Sequence, residues 1–399
     1  MRPKVTVGII AVAVILWAVF FMQHKPEWTE ENSLVKSRPP GLTDDLDSKS
    51  LITALSQSLT YLKQLPEDKI FHFDGNKISA KKLYLSLKDF KEKLETFGLT
   101  EKFFKYVKEN FVFYRSAARE VLITGYYEPL LKASKAPDKR YKYPIYKTPP
   151  DLIKIRLSDF FKNTRQNNLP DEIRGRVTST GEFVPYYTRE EIDFKHALKG
   201  MGLELAWVDN LVDLFFLHIQ GSGVLVFQDG TRLRVNYAEQ NGHPYRSIGK
   251  FLVEKGIFTS EGASMQAIKN YLREHPKEVR TVLSHNPSYI FFRTVTEGPL
   301  GHLELPLTPY RSVALDRRIF PPAAPVFLIS EKPEITPDGT IVGWKKFSRF
   351  VFNQDTGGAI RGPGRLDLFC GAGEEAEITA GHLRQSGALY FILKKQKTM

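Results

Sequence analysis

The feature that most constrains the fold is a glycine-rich segment near the C-terminus, which runs from Asp355 to Gly373 and reads DTGGAIRGPGRLDLFCGAG. Six of its residues are glycine and one is proline. Glycine weakens a regular element by roughly 0.5–1 kcal/mol relative to alanine, so a fold keeps it where the chain turns tightly or a ligand comes close. Asp367 stands between Leu366 and Leu368 in a strand-like stretch. Burial there would raise its pKa and suit it to acid–base chemistry.

Two interpretations of this segment are open from its residues alone. One is a looped β-hairpin whose turn aspartates are solvated. In the other, a glycine-rich turn folds strand onto strand, so that Asp355 and Asp367 reach one cavity. Cleavage of a glycosidic bond needs a carboxylic acid that keeps its proton near neutral pH and gives it to the leaving oxygen. Asp367 is the better candidate for that acid, and we expect Asp355 to tune its neighbour or to form an Asx turn.

Other catalytic classes fit the sequence poorly. Asp355-Thr356-Gly357 matches the aspartic-protease triplet, but the sequence lacks the second copy that a duplicated lobe would carry. Ser222 lies in Gln-Gly-Ser-Gly, which is not the Gly-x-Ser-x-Gly nucleophile elbow. The lone Cys370 excludes an intrachain disulfide, and the nine histidines show no metal-binding spacing. We therefore expect no metal and no other cofactor.

The N-terminus predicts attachment to a membrane. Arg2 and Lys4 precede an uncharged run from Val5 to Met22, which is about the length that spans a bilayer. Basic residues before such a run keep the N-terminus in the cytoplasm and send the rest across. We expect an uncleaved signal anchor over 1–23, with a cleaved leader as the alternative. A linker over 24–46 and a periplasm-facing body would follow, with the inner membrane favoured. The net charge of +12 suits a polyanionic partner, which could be nucleic acid, anionic lipid or an acidic cell-wall polymer. A body outside the cytoplasm argues against nucleic acid.

Hydrophobic spacing divides the remaining chain into a helical part and a strand-rich part. Leucines at helical spacing predict a helix over 51–65, and two more helices follow over 79–97 and about 101–116. From Val121 onwards, short apolar strands separated by glycine and proline dominate, which is typical of a small barrel. A strand over Phe215–Gln220 is among those that we predict.

Tyrosine-bearing turns and polar loops supply candidate contacts to a sugar. Tyrosines at loop tips can stack on sugar rings and hydrogen-bond through their hydroxyl groups. Packing within the fold is the open alternative for each of them. The candidate substrate-binding residues are Tyr126, Tyr127, Glu128, Tyr186, Gln220, Ser222, Gly223, Tyr245, Thr356, Gly357 and Arg361.

Several motifs in this order resemble the membrane-bound lytic murein transglycosylase A (MltA) family. They are Gly-Tyr-Tyr-Glu-Pro at 125–129, Phe-Leu-His-Ile-Gln-Gly-Ser-Gly at 216–223, Gly-His-Pro-Tyr-Arg-Ser-Ile-Gly at 242–249, Asn-Pro-Ser-Tyr at 286–289, Ser-Val-Ala-Leu-Asp-Arg at 312–317 and the glycine-rich segment. The resemblance runs from about residue 120 to the C-terminus. Its last part is similar to the family's three-aspartate (3D) domain, whose aspartates fall on Asp316, Asp355 and Asp367.

The resemblance implies a mainly β fold: a six-stranded double-psi β-barrel with a smaller β-rich domain inserted into it. Residues 47–130 would hold the helices and the first part of the barrel, 131–295 the inserted glycan-binding domain, and 296–399 the rest of the barrel. Many family members carry a lipid on an N-terminal cysteine and lie in the outer membrane, whereas this chain has an apolar run instead.

The resemblance also implies a reaction on peptidoglycan. The β-1,4 bond between N-acetylmuramic acid (MurNAc) and N-acetylglucosamine (GlcNAc) would be cleaved, and a 1,6-anhydromuramoyl end would remain. Asp367 would be the single acid and base, with Asp355 beside it. Spacing alone does not separate this reaction from a glycoside hydrolase that uses both carboxylates, or from a non-catalytic barrel that tethers the membrane to the wall.

Overall fold

A computed structural model describes residues 28–160, 172–260, 262–337 and 339–396. The α-helices in these ranges are α1 (Ser48–Gln64), α2 (Ala80–Phe97), α3 (Glu101–Asn110), α4 (Arg189–Asp193), α5 (Leu211–Gln220), α6 (Ile248–Glu254), α7 (Met265–Glu274), α8 (Val279–Ser284) and α9 (Glu374–His382). The predicted anchor at 1–23 lies outside these ranges. None of the helices within them is long and apolar enough to cross a membrane.

Nineteen strands are found in the same ranges. They are β1 (Leu34–Ser37), β2 (Ile70–Phe73), β3 (Asn76–Ser79), β4 (Phe111–Ser116), β5 (Val121–Glu128), β6 (Leu130–Ser134), β7 (Tyr143–Tyr146), β8 (Ile153–Arg156), β9 (Glu172–Val177), β10 (Phe183–Pro185), β11 (Glu204–Val208), β12 (Ser222–Phe227), β13 (Arg232–Gln240), β14 (Ile290–Val295), β15 (Ser312–Ala314), β16 (Pro325–Ile335), β17 (Ile341–Asp355), β18 (Arg365–Ala372) and β19 (Arg384–Lys394). Two short 3-10 helices span Leu157–Asp159 and Pro276–Glu278.

Six strands close into a barrel. Their hydrogen-bonded order is β19-β16-β17-β15-β18-β5, and a further pairing between β5 and β19 completes the ring. β4 pairs with β19, and β1 pairs with β4 outside the ring. The main hydrophobic core includes Val313, Phe350, Leu366 and Phe391, which are all buried. The six-stranded barrel inferred from the sequence is therefore confirmed.

The glycine-rich segment connects two strands that are not neighbours. β17 and β18 follow one another in sequence, but β15 lies between them, parallel to β17 and antiparallel to β18. A hairpin between β17 and β18, one of the two interpretations of this segment, is therefore wrong. The connection must cross the end of β15 rather than turn back at once, which is why it is long.

A second sheet of six strands lies beside the barrel, in the order β14-β13-β12-β6-β11-β7. Its own core is formed with α5, α6, α7 and α8 and includes Leu217, Leu252, Leu272 and Phe292. β5 of the barrel leads through Pro129 directly into β6 of this sheet. The junction between the two sheets therefore coincides with the Gly-Tyr-Tyr-Glu-Pro motif.

The N-terminal helices belong to the core of the barrel. Phe90 of α2 packs edge-on against Phe350, with ring centroids 5.1 Å apart. The helix predicted over 101–116 ends at Asn110, and Phe111–Ser116 form β4 instead. The prediction is wrong for these last residues. They form a strand because they pair with β19 at the outside of the barrel, and such tertiary pairing overrides local helix propensity.

The segment predicted as a linker over 24–46 is, from residue 28 on, packed on the barrel. It contributes β1, and the side chain of Leu34 is buried. Asp44 reaches buried Arg311 at 2.7 Å, and Asp45 reaches buried Arg349 at 2.6 Å. A buried guanidinium group needs a carboxylate partner, so the polar composition of this segment reflects buried ion pairs rather than a free chain.

The strand predicted over Phe215–Gln220 is wrong, because these residues form the second half of α5. Asn210 caps the helix by accepting hydrogen bonds from the N–H groups of its first turn, and Gly221 ends it with a left-handed φ of 79°. The helix is apolar on all faces because it is buried on most sides. Its hydrophobic residues therefore show no helical repeat in the sequence that would distinguish it from a strand. Ser247 and Ser264 cap α6 and α7, and their side chains accept hydrogen bonds from the N–H groups of Lys250 and Ala267.

Candidate active site

Asp355 and Asp367 flank the same residue of the strand between them. Asp355 ends β17, Asp367 lies in β18, and both are in register with Ala314 of β15. Because neighbouring strands are about 4.8 Å apart, the two aspartates are roughly 10 Å apart at their Cα atoms. Leu366 and Leu368 are in the barrel core, so the alternation along β18 turns Asp367 to the other face of the sheet.

The carboxyl group of Asp367 is partly enclosed and poorly bonded. The side chain is 24% exposed, yet its Oδ1 is buried and has no hydrogen-bond partner among the described residues. The nearest cation is Arg365, whose Nη2 lies 3.6 Å from this oxygen. Burial raises the pKa of Asp367 to about 6; Arg365 lowers it and the charge of Asp355 raises it further. The group therefore keeps its proton to a higher pH than an ordinary aspartate and stays accessible.

Asp355 is held by three neutral donors. The Tyr126 hydroxyl group donates to Oδ2 at 2.7 Å, and the backbone N–H groups of His302 and Thr356 donate to Oδ1 at 2.9 and 2.8 Å. Burial raises the pKa of Asp355 to about 6, although each of these donors lowers it. The donors stabilise the carboxylate, so of the two groups Asp355 is better suited to be ionised and Asp367 to carry the proton.

The third aspartate of the 3D motif, Asp316, is fixed inside the fold. Arg318 donates from Nε to Oδ1 at 3.0 Å and from Nη2 to Oδ2 at 2.7 Å. The Gly362 N–H group donates to the same Oδ2 at 2.8 Å. Burial acts to raise the pKa of Asp316, but these partners outweigh it and lower the pKa. Asp316 therefore anchors the glycine-rich segment and is not available as an acid.

The loop before α6 brings a tyrosine near Asp367. Tyr245 in this loop is 40% exposed. Its pKa is raised by partial burial and, despite a hydrogen bond with Ser247, by the negative charge of Asp367. The loop is tied to its surroundings, because Asn286 accepts from the Arg246 N–H group and His243 Nε2 lies 2.7 Å from a backbone oxygen. Tyr245 thus lies near enough to Asp367 for the charge of the aspartate to act on its hydroxyl group.

Four of the predicted substrate-binding residues lie around Asp355. Tyr126 bonds it directly, and the Thr356 hydroxyl group donates to the Leu315 carbonyl oxygen at 2.9 Å. Gly357 follows, where an added Cβ would lie 3.0 Å from Cγ1 of Ile360. Arg361 is exposed and donates to the carbonyl oxygens of Gly357 and Ile360. These residues therefore belong to the end of β17 and the glycine-rich segment that follows it, beside Asp355.

The side chains of three other predicted residues are used within the fold. Tyr127 is 1% exposed and belongs to a small cluster with Cys370. Glu128 is buried and forms a two-pronged ion pair with Arg234 of β13, at 2.8 and 3.3 Å. Tyr186 is buried, and its hydroxyl group donates to Asp151 at 2.9 Å. These contacts indicate packing and connection of the two sheets rather than contact with a sugar.

The Gln-Gly-Ser-Gly turn also serves the junction between the sheets. Gln220 Oε1 accepts a hydrogen bond from the Tyr127 N–H group at 2.9 Å. Ser222 is buried. At Gly223, an added Cβ would lie 2.4 Å from Cδ1 of Leu217. The glycine is therefore required by close packing of α5 on β12.

Two residues near the aspartates were missed at the level of sequence. Arg365 precedes Asp367 by two residues and so shares its face of β18, which strand periodicity could have revealed. His302 acts through its backbone, and no sequence signal marks such a contact. In the described part of the chain, no group of three or more potential ligands could hold a metal ion.

Comparison with known proteins gives matches over most of the chain. The family model "MltA specific insert domain" matches residues 122–293, and the model "3D domain" matches residues 311–393. The membrane-bound lytic murein transglycosylase A of Vibrio cholerae is 36% identical over 273 residues, which cover 68% of this chain and 64% of that protein. The Escherichia coli K12 protein of that name is 34% identical, with coverages of 68% and 65%. The matched region thus spans just under two thirds of the length of these curated relatives.

Solved structures agree with these matches. A membrane-bound lytic murein transglycosylase from Agrobacterium tumefaciens has a TM-score of 0.74 and 34% identity, covering 91% of this chain and 98% of that one. E. coli MltA with bound chitohexaose has a TM-score of 0.66 and 26% identity, covering 94% and 98%. On these grounds the chain belongs to the membrane-bound lytic murein transglycosylase A family.

Proposed function

We propose that this protein is a peptidoglycan lytic transglycosylase, which cleaves the MurNAc–GlcNAc β-1,4 bond and leaves a 1,6-anhydromuramoyl end. The observation that carries the proposal is the Asp367 carboxyl group, which has a pKa of about 6, a buried oxygen without a described partner and a partly open face. Relatives at 34–36% identity are named lytic murein transglycosylases, and a structural neighbour was crystallised with chitohexaose.

One protonated carboxyl group is sufficient for this reaction. Asp367 gives its proton to the glycosidic oxygen, and the bond from that oxygen to C1 of MurNAc breaks. The C6 hydroxyl oxygen of the same MurNAc forms the new bond to C1, and its proton passes to the Asp367 carboxylate. Asp367 ends protonated, as it began, and no water is consumed. Because nucleophile and electrophile belong to one sugar, their proximity lowers the barrier.

Asp355 has a supporting role in this mechanism. As a carboxylate held by Tyr126 and two N–H groups, it stabilises the positive charge that develops at C1 when the leaving oxygen departs. Its charge also raises the pKa of Asp367, which keeps the acid protonated. Tyr245, Thr356, Gly357 and Arg361 line the path of the glycan.

The glycan would lie between the barrel, at 47–130 and 296–399, and the domain at 131–295, and these boundaries remain predictions. The body would face the periplasm from an anchor at Val5–Met22 in the inner membrane. The word "membrane-bound" in the names of the relatives supports membrane association. The side of the membrane and the choice of membrane rest on the sequence of the anchor alone.

Digestion of purified sacculi by the purified protein, followed by mass spectrometry of the released fragments, tests the proposal. We expect muropeptides with 1,6-anhydromuramoyl ends. Fragments with reducing ends would instead indicate a hydrolase that uses Asp355 and Asp367 as a pair. A protein that binds sacculi but releases nothing would be a wall-binding barrel.

A further inference from the structure

A second cluster of charged residues lies beside the aspartates and takes no part in the proton transfers described above. Arg317 Nη1 lies 3.3 Å from His302 Nε2. The backbone N–H group of His302 donates to Asp355 Oδ1. His302 therefore lies between Arg317 and Asp355 and contacts both of them. Burial and Glu239 raise the pKa of Tyr237 in β13, whereas Arg317 is among the groups that lower it, so Arg317 also acts on the second sheet.

Arg361 joins this cluster from the glycine-rich segment. The next residue, Gly362, donates its N–H group to Asp316 Oδ2, the oxygen that also binds Arg318. Arg361 is thereby held close to Arg318 and Arg317. Partial burial lowers the pKa of Arg361, the positive charges of Arg318 and Arg317 lower it further, and the charge of Asp316 raises it. Three arginines and one aspartate thus act on one another beside the site.

The cluster has more positive than negative charge. Arg318 is matched by Asp316. Arg317 and Arg361 are both exposed, and within the described ranges neither has a carboxylate oxygen within 4.0 Å. Like charges held together without a counter-ion destabilise a fold, and arginine is the residue best shaped to bind a carboxylate with two parallel hydrogen bonds. Such a surplus is expected where an anion binds.

We propose that Arg317 and Arg361 bind a carboxylate of the peptide stem on the muramoyl residue next to the bond that is cleaved. This inference rests on the proposed function, because it names the part of the substrate that the site selects. The sugar rings of a peptidoglycan strand are uncharged, and its anionic groups lie on the stems that the muramoyl lactyl groups carry. A carboxylate placed here would face the arginines while the sugar chain faces Asp367 and Tyr245.

The test compares two forms of one substrate. Glycan strands with intact stems are assayed against the same strands after their stem carboxylates have been converted to amides, which removes charge but keeps size. Wild-type protein should have the higher kcat/KM on the intact strands. Arg317→Gln and Arg361→Gln should each lower that value by about two- to fivefold, as expected for exposed ion pairs. Together they should bring the ratio between the two substrates close to one, with the effect greatest at low salt.

Arg280→Gln is the matched control, since Arg280 is exposed and pairs with Glu190; it should keep the wild-type ratio. Thermal unfolding checks that all variants are folded. Equal cleavage of both substrates by wild-type protein, or an unchanged ratio in the double variant, would overturn the inference and leave the proposed function standing. Anhydro products from neither substrate would overturn the proposed function and this inference with it.

Discussion

Asp316 and Asp367 both lie near Ala314 in the same barrel, and the pKa values of their carboxyl groups are shifted in opposite directions. Asp316 follows Ala314 by two residues and accepts bonds from Arg318 and Gly362. Asp367 is opposite Ala314 and has one oxygen without a described partner. The pKa of Asp316 is lowered and that of Asp367 is raised to about 6. Burial is common to both, so the partners decide the direction.

Asp355 shows which kind of hydrogen-bond partner decides the direction of the pKa shift. It accepts three hydrogen bonds, yet its pKa is still raised to about 6. All three donors are neutral, whereas Asp316 faces the guanidinium group of Arg318. A charged partner offsets the desolvation of a carboxylate more fully than neutral donors do. One barrel can therefore fix one aspartate as a structural anion and keep two others able to exchange protons.

The largest effect is expected from removal of the Asp367 proton. Asp367→Asn should lower the release of anhydro-ended fragments by about 10²- to 10⁴-fold, since this is the usual contribution of a general acid or base. Asp316→Asn, compared per folded molecule, should lose much less. Mass spectrometry of sacculus digests measures both. Wild-type activity of the Asp367→Asn protein would contradict the assignment of Asp367, rather than Asp316, as the acid and so would rule out the proposed mechanism.

Asp367→Asn and Asp316→Asn should change the free energy of unfolding in opposite directions. The pKa of Asp367 in the folded state, about 6, is above the ordinary value of about 3.9, so the folded state binds more protons between these values and loses stability as the pH rises through them. At pH 7, Asp367→Asn should raise the free energy of unfolding by up to about 3 kcal/mol, since a shift of roughly two pKa units contributes about 1.4 kcal/mol per unit. Asp316→Asn should lower it by about 1–3 kcal/mol, because Arg318 and Gly362 lose a charged acceptor.

Urea unfolding of both variants and the wild type at pH 7 and pH 4 measures these changes. Most of the gain from Asp367→Asn should be lost at pH 4, where the wild-type carboxyl group is protonated in the folded state and about half protonated in the unfolded state. If both variants were destabilised equally at both pH values, Asp367 would not be a strained carboxylate.

A smaller effect is expected at the Tyr126 hydroxyl group. Tyr126→Phe removes one of the donors that lower the pKa of Asp355, so Asp355 should ionise at a higher pH. A hydrogen bond to a charged group contributes about 1.5–3 kcal/mol, which sets the loss of kcat at about tenfold or more. Tyr127→Phe is the matched control, since the Tyr127 ring is buried in a separate cluster. A greater loss of activity in that control would contradict the assignment of the two tyrosines.

Local patterns were sufficient to predict a small barrel and an aspartate in an apolar strand of it. The alternation Leu366-Asp367-Leu368 predicts an aspartate on the accessible face of a buried strand, and the structure has this arrangement. The turn signals between short apolar strands are also typical of the barrel that was found. Both inferences depend on residues that are close together in sequence.

What the sequence did not reveal depends on distant contacts. The position of β15 between β17 and β18 follows from the pairing of Ala314 with residues more than 40 positions away. Asp44 and Asp45 appeared to belong to a linker because Arg311 and Arg349, their partners, are far along the chain. The sequence does not show whether Tyr127 is buried or exposed, because the local motif is the same for a tyrosine that packs inside the fold and for one at a loop tip.

The smallest effect is expected from substitution of Arg365, which should shift the pH dependence of kcat. Its charge lowers the pKa of Asp367 from a distance of 3.6 Å. Arg365→Gln should therefore raise that pKa, and because the acid must be protonated, the fall of kcat at high pH should move to higher pH. Arg365→Lys keeps the charge and should keep the profile near that of the wild type. Arg365 also donates to the Thr124 hydroxyl group at 3.3 Å. If glutamine and lysine displaced the profile equally, loss of this bond, rather than of the charge, would be the cause.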